Sequence, residues 1–278
     1  MLLPAAMDEV SSLELALLLD GVHQLHGVDF RGYDAWRVRR KVDAFVQHCG
    51  LHTISGLQER VLHDAALAKA LIRAIAHVPR GLLDDPAHLQ ALRETVLPRL
   101  RTYPWRRIWL ADCTDPGSIM SLVILLEEAR LYERSEVFVT APDADLLAEV
   151  SKLTLPLAQM GRWWGRLWRV AQPGSVQRYL QADGAGFALH PALRRNLVWN
   201  QHDLGVDASF NEFQLVLCQR PLNEYARPLQ RRALQLFTDS LCPFGALQVD
   251  AVPEHEQGHF MLDFRALSRA HGIYRRVA

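Results

Sequence analysis

The sequence predicts an α/β protein: a helical first third, then a doubly wound, mainly parallel sheet that carries a small inserted β-piece. Three observations predict it. Up to about Leu100, apolar residues recur at three-to-four spacing with few strand signals. Beyond Leu100, short apolar runs alternate with helix-like segments, the pattern of strand–helix–strand units. From Met160 to Leu204 that rhythm breaks, with the tryptophans Trp163, Trp164 and Trp168 close together and turns at Gly174, Gly184 and Gly186.

The elements follow in order. Asp8, Ser11 and Ser12 precede the apolar run Leu13 to Leu19, a capped helix start. Between Tyr33 and Cys49 the residues Trp36, Val38, Val42, Phe45, Val46 and Cys49 mark an amphipathic helix. Ile54 to Leu62 and Ala65 to Val78 continue the pattern. Asp85-Pro86 opens a helix through Leu100, with proline at a tolerated first-turn position. Ile108 to Ala111, Glu136 to Thr140, Phe213 to Cys218, Ala246 to Val249 and Gly272 to Val277 read as strands. Ser118 to Leu131, Asp143 to Leu153 and Pro228 to Leu241 read as the helices between them, and Phe187 to Leu189 as a strand of the inserted piece. The expected organisation is a helical domain over 1–100 and an α/β domain over 101–278, with the insertion at about 160–204.

Charge and cysteine usage narrow the function classes. Lys plus Arg and Asp plus Glu both number 31, so no global field favours DNA or an anionic membrane. Cys49, Cys113, Cys218 and Cys242 show neither a CxxC pair nor zinc-ligand spacing, and read as thiols in a reducing compartment. His255 and His259 flank a glutamate but lack a metal-binding pattern, so no metal site is expected. The first residues lack a secretory pattern and no apolar run is long enough to span a bilayer. These features place the chain in the cytoplasm, without membrane insertion.

Several stretches resemble one family along nearly the whole chain. HGVDFRGYDAWRVRRKV (His26 to Val42) is similar to a Gly-x-Asp-Phe-x-x-Tyr opening with its basic helix. DDPAHLQAL (Asp84 to Leu92) is similar to an Arg-Asp-Pro helix start. IWLADCTDPGSIMSLVILLEEA (Ile108 to Ala129) aligns without a gap to a strand, an Ala-Gly-Cys-Ser-Thr-Gly-Glu-Glu loop and a helix. The run from Ser209 to Leu247 resembles a Cys-Arg-Asn-Val-Leu-Ile-Tyr-Phe segment and the helix after it. Gly272 to Val277 resembles the closing strand. The family is that of the CheR-type chemotaxis receptor methyltransferases. The resemblance implies a Rossmann-like S-adenosylmethionine-dependent methyltransferase fold with a helical N-terminal domain and a β-subdomain insertion. The implied activity is methyl transfer to receptor glutamates.

The pocket positions implied by the resemblance are mostly substituted. Where the family has Asn, Thr and Arg ahead of the Arg-Asp-Pro helix, this chain has Val78, Arg80 and Asp84. The glycine loop reads Asp112-Cys-Thr-Asp-Pro-Gly-Ser118. Asp112, Asp115 and Gly117 thus replace glycine, threonine and glutamate, and Pro116 removes an N–H. The acidic residue that accepts the ribose hydroxyls is Ala141, with Asp143 the nearest substitute acceptor. The adenine-side His-Asn-Leu is His202-Asp203-Leu204, and the Cys-Arg-Asn segment holds Gln219 and Arg220. Three lost charge-assisted hydrogen bonds cost roughly 5–9 kcal/mol if additive, several powers of ten in affinity.

Two basic stretches remain as partner or ligand candidates. Arg37, Arg39 and Arg40 lie on the basic helix, which in the family faces the acidic receptor rod. Arg162, Trp163, Trp164, Arg166 and Trp168 interleave cations with stacking surfaces, although tryptophans in an insertion more often cover its core. The expected function is a CheR-like component of a chemosensory system, catalytically inactive or weak, that binds a receptor or a receptor-like helical protein. In that reading it takes no cofactor. One alternative is an active glutamate methyltransferase that uses S-adenosylmethionine, with Arg80, Asp143 and Glu224 acting from shifted positions. Another is a pocket repurposed for an anionic nucleotide through Arg80, Arg220 and the Arg/Trp segment.

Overall fold

The computed structural model describes residues 9–78, 83, 85–167, 176–184 and 186–277, with the side chains of 166, 167, 176 and 177 excepted. The chain forms two compact units. The first comprises Met1–His77 and Asn223–Leu229, the second Val78–Leu222 and Gln230–Ala278.

Among its described residues the first unit includes the helices α1 (Glu9–His26), α2 (Ala35–His48), α3 (Ile54–His63) and α4 (Ala65–Ala76). Side-chain caps define three of the starts. Asp34 accepts from the Arg37 N–H, Thr53 from Gly56, and Asp64 from Ala66 and Leu67. On α2 the buried stripe is Val38, Val42 and Val46, whereas Trp36 is exposed and lies under the Arg40 guanidinium at 4.8 Å. The residues from Asn223 to Leu229 are stitched into this unit. The Asp34 N–H donates to the Glu224 carbonyl (2.8 Å) and the Ala226 N–H to the Gly32 carbonyl (3.0 Å), and the Tyr33 and Tyr225 rings meet edge to face. The nearly buried Glu224 carboxylate takes Lys41 Nζ at 2.9 Å and Arg37 at 3.3 Å. Lys41 also donates to the Ile75 and His77 carbonyls, closing the end of α4.

The second unit begins with α5 (Pro86–Ala91), a π turn (Leu92–Val96) and α6 (Leu97–Leu100). It continues through β1 (Arg106–Ala111), α7 (Pro116–Glu128), β2 (Ser135–Ala141) and α8 (Ala144–Val150). Next come β3 (Thr154–Pro156), α9 (Leu157–Leu167), α10 (Val176–Tyr179), β4 (Leu180–Asp183), β5 (Gly186–Leu189), β6 (Leu197–Gln201) and β7 (Phe213–Cys218). Then follow α11 (Arg227–Ser240), β8 (Leu241–Gln248), α12 (Glu254–Asp263), β9 (Phe264–Ser268) and β10 (Ile273–Arg276). The large sheet has the order β6-β2-β1-β7-β8-β10-β9. β6, β2, β1, β7 and β8 run parallel, and β10 is antiparallel to both neighbours. This is a Rossmann-like α/β sheet, with β1 and β7 at its centre buried on both faces, as parallel strands require. The return into β10 needs Gly272, whose φ is +58° and whose missing Cβ would lie 1.8 Å from the Val249 carbonyl oxygen.

The differences from the sequence reading lie in the weakest strands. β3, β5 and β4 form a separate three-stranded antiparallel sheet, of which only β5 is legible as apolar alternation. Leu197 to Gln201, which reads as part of the inserted piece, is instead the parallel edge strand β6 beside β2. Its half-exposed residues give neither a continuous apolar run nor a clean alternation. His255 and His259 lie on α12.

Candidate functional site

In the large sheet the chain winds one way from β1 through β2 to β6, and the other way from β7 to β8. The switch point is therefore the crevice above the carboxyl ends of β1 and β7, where open α/β sheets bind ligands. Asp112 directly follows β1 and Arg220 lies two residues beyond β7. Their side chains meet across that crevice. Arg220 Nε donates to Asp112 Oδ2 at 2.6 Å and Nη2 faces Oδ1 at 3.5 Å. Arg220 is 0% and Asp112 4% exposed. The turn that aims Asp112 into the crevice has φ = +47°, a left-handed conformation that aspartate tolerates better than most residues.

The loop beyond it is closed by its own side chains. Asp115 caps α7, its Oδ2 accepting from the Ser118 N–H (2.8 Å) and hydroxyl (2.9 Å), with Pro116 in the first turn. Capping therefore takes an N–H that a bound anion would otherwise receive at this helix start. Trp163, from α9 of the insertion, lies on the same first turn. Its Nε1 donates to the Gly117 carbonyl (2.9 Å) and contacts the Ser121 hydroxyl (3.0 Å). A Cβ at position 117 would sit 2.9 Å from the indole Cδ1, so Gly117 lets the ring lie flat on the helix start.

The remaining positions are also engaged locally. Ala141 ends β2, fully buried, and its carbonyl accepts from the His202 N–H at 3.0 Å. Asp143 caps α8 through the Leu146 N–H (2.9 Å). Asp203 closes a turn, accepting from Gly205 and donating its own N–H to Asp207, and Leu204 is buried beside it. Gln219 Oε1 accepts from the Leu83 N–H at 3.4 Å. Val78 is half-buried. Arg80, Asp84 and Trp168 lie outside the described residues, as does the side chain of Arg166. Arg39 pairs with Asp43 and Arg37 with Glu224, while Arg40, Arg162 and the half-buried Trp164 reach the surface. The structure thus pairs Asp112 with Arg220, and sets Asp115, Gly117 and Trp163 together at the start of α7. Sequence reading treats Trp163 only as a partner candidate, and Arg220 as a cation available to an anionic ligand. The buried pairing with Asp112 turns that cation inward. Among the described residues no cluster of three or more His, Cys, Asp or Glu is placed to hold a metal ion. Likewise, no described helix is long and apolar enough to cross a membrane.

No family model matches the chain. A Pseudomonas putida protein carrying the name methyltransferase Cher3 is 28% identical over 266 residues, covering 96% of this chain and 97% of that protein. The chain is thus similar to a CheR-type protein along nearly its whole length. A chemotaxis protein methyltransferase of Listeria monocytogenes is 23% identical to this chain over 223 residues, covering 80% of this chain and 82% of the other. Among solved structures, the mitomycin 7-O-methyltransferase MmcR has a TM-score of 0.43 at 11% identity, covering 88% of this chain and 68% of that one. The family implies S-adenosylmethionine, and the described residues do not fit it. A bulky ion pair spans the crevice where glycine admits the ligand, an indole covers the helix start, and Ala141 offers no side-chain acceptor for ribose.

One titratable site stands near this face. Burial pushes His88 on α5 below the ordinary imidazole value of 6.5, against the opposing pull of Asp85 and Asp250 and with a further push from His271. The unfolded imidazole therefore takes up its proton first as pH falls, and the fold loses stability below about pH 6.5. The expected result is a melting temperature that drops between pH 7.5 and 5.5, with a shallower drop in His88→Gln. Equal slopes by differential scanning calorimetry would contradict it.

Proposed function

We propose that this CheR-type protein serves a chemosensory signalling system as a cytoplasmic protein-binding component that does not transfer methyl groups. One observation carries the reading: the buried Asp112–Arg220 ion pair bridges the switch-point crevice, where the family places its methyl donor. Trp163 on the start of α7 supports it, as does the capping use of Asp115 and Asp143. The partner in this reading is a receptor or receptor-like helical bundle. The exposed Trp36–Arg40 stack on α2 is its docking candidate, since a cation laid on an indole suits an acidic helical surface.

A second reading is methylation of receptor glutamates by a rearranged site, in keeping with the methyltransferase names of the relatives. Against it, Asp143 is held as a helix cap and Glu224 is held by Lys41 and Arg37, so neither is placed as a substitute ligand. A transfer assay with a methyl-labelled donor and a chemoreceptor signalling fragment separates the two. The proposal expects no label above the enzyme-free level, together with receptor binding that weakens in Arg40→Glu. Base-labile label on receptor glutamates would establish the second reading instead.

A further inference from the structure

A cavity of about 260 Å³ opens between α6 and the carboxyl end of α7, lined by Arg93, Leu97, Pro98, Arg101, Leu125 and Ala129. It is separate from the switch-point crevice. α7 starts at the carboxyl end of β1 and runs back, so its last turn lies at the opposite edge of the strands, where Arg101 precedes β1. The backbone here is irregular for a local reason. Pro98 has no N–H to return to the ladder, and the Leu97 N–H reaches back to the Leu92 carbonyl, opening the π turn over Leu92–Val96. Such turns recur at functional sites.

The chemistry of the wall selects a ligand class. Leu97 and Leu125 are buried apolar side chains that nevertheless line the cavity, beside Pro98 and Ala129. Neither Arg93 nor Arg101 forms an ion pair with a described residue. Glu128, also on the wall, takes a hydrogen bond from the Tyr179 hydroxyl at 3.4 Å. Two arginines on the wall of a cavity with an apolar floor suit a carboxylate, which a guanidinium's planar fork matches, with a hydrocarbon body. We propose that this cavity binds a compact carboxylate with an apolar body, its anionic end held by Arg93 and Arg101 and its body by Leu97, Leu125 and Ala129. A free acid and the C-terminal residue of a peptide present the same chemistry.

The test titrates the labelled protein in backbone amide NMR with benzoate, 4-methylpentanoate, and the peptide Gly-Gly-Leu with a free or an amidated terminus. The expected result is saturable shifts confined to residues 92–101 and 125–129, with a dissociation constant on the order of 1 mM for ligands of this size. Binding should weaken by about tenfold or more in Arg93→Gln/Arg101→Gln, the worth of one lost charge-assisted contact. Ala129→Phe, which fills the cavity from its wall, should abolish it. Response to the free acids alone assigns a small-molecule ligand, and response to the free-terminus peptide alone a chain end. No saturable shift with any probe, shifts elsewhere, equal binding of the amidated peptide, or undiminished binding in both variants would overturn the proposal.

Discussion

Replacing Arg220 with methionine is expected to lower the melting temperature by roughly 6–20 °C. The figure follows from the burial of both partners. Methionine fills much of the arginine's volume but leaves the Asp112 carboxylate in the crevice without its guanidinium, and breaking a buried pair on one side costs about 3–5 kcal/mol. For a unit of about 200 residues each kcal/mol moves the midpoint by roughly 2–4 °C. The companion variant Asp112→Gly/Arg220→Met should recover most of that loss. Both charges are then gone, and glycine adopts φ = +47° without a Cβ penalty of about 1 kcal/mol. Circular dichroism melts of the two variants read the coupling directly. A single variant as stable as the parent, or a double variant no better than the single, would show that the pair does not hold the crevice shut.

Trp163→Ala is expected to destabilise by about 3–5 kcal/mol, the usual cost of emptying a large buried aromatic site. Two contributions add. The indole covers the first turn of α7, and its Nε1 proton serves the Gly117 carbonyl and the Ser121 hydroxyl. Trp163→Phe keeps most of the apolar contact and loses the donor, so about 1–2 kcal/mol is expected from it. Urea unfolding followed by far-UV circular dichroism measures both. A loss under about 0.5 kcal/mol for the alanine variant would place Trp163 among surface tryptophans of the insertion instead.

The central strands were legible because parallel strands buried on both faces are written as continuous apolar runs: Ile-Trp-Leu-Ala ending at 111 and Phe-Gln-Leu-Val-Leu-Cys ending at 218. The edge strand β6 was not, since one open side lets Trp199, Asn200 and Gln201 stand where an interior strand would carry valine or isoleucine. The substitutions at the crevice could be read one by one. Their partnership could not, because Asp112 and Arg220 stand 108 residues apart and only the parallel pairing of β1 with β7 sets their side chains face to face. A signal was present nonetheless: opposite charges entering at the ends of two strands that are neighbours in a doubly wound sheet. Trp163 left a fainter one. Glycine at 117 in place of a long acidic side chain made room for a ring, but nothing in the sequence said which ring would use it.

The central claim is that the chain's own side chains occupy the place of the methyl donor. Isothermal titration of the intact protein with S-adenosylhomocysteine tests it most directly. The account predicts no saturable heat up to millimolar ligand, whereas a dissociation constant in the low micromolar range, with the Asp112–Arg220 pair intact, would contradict it.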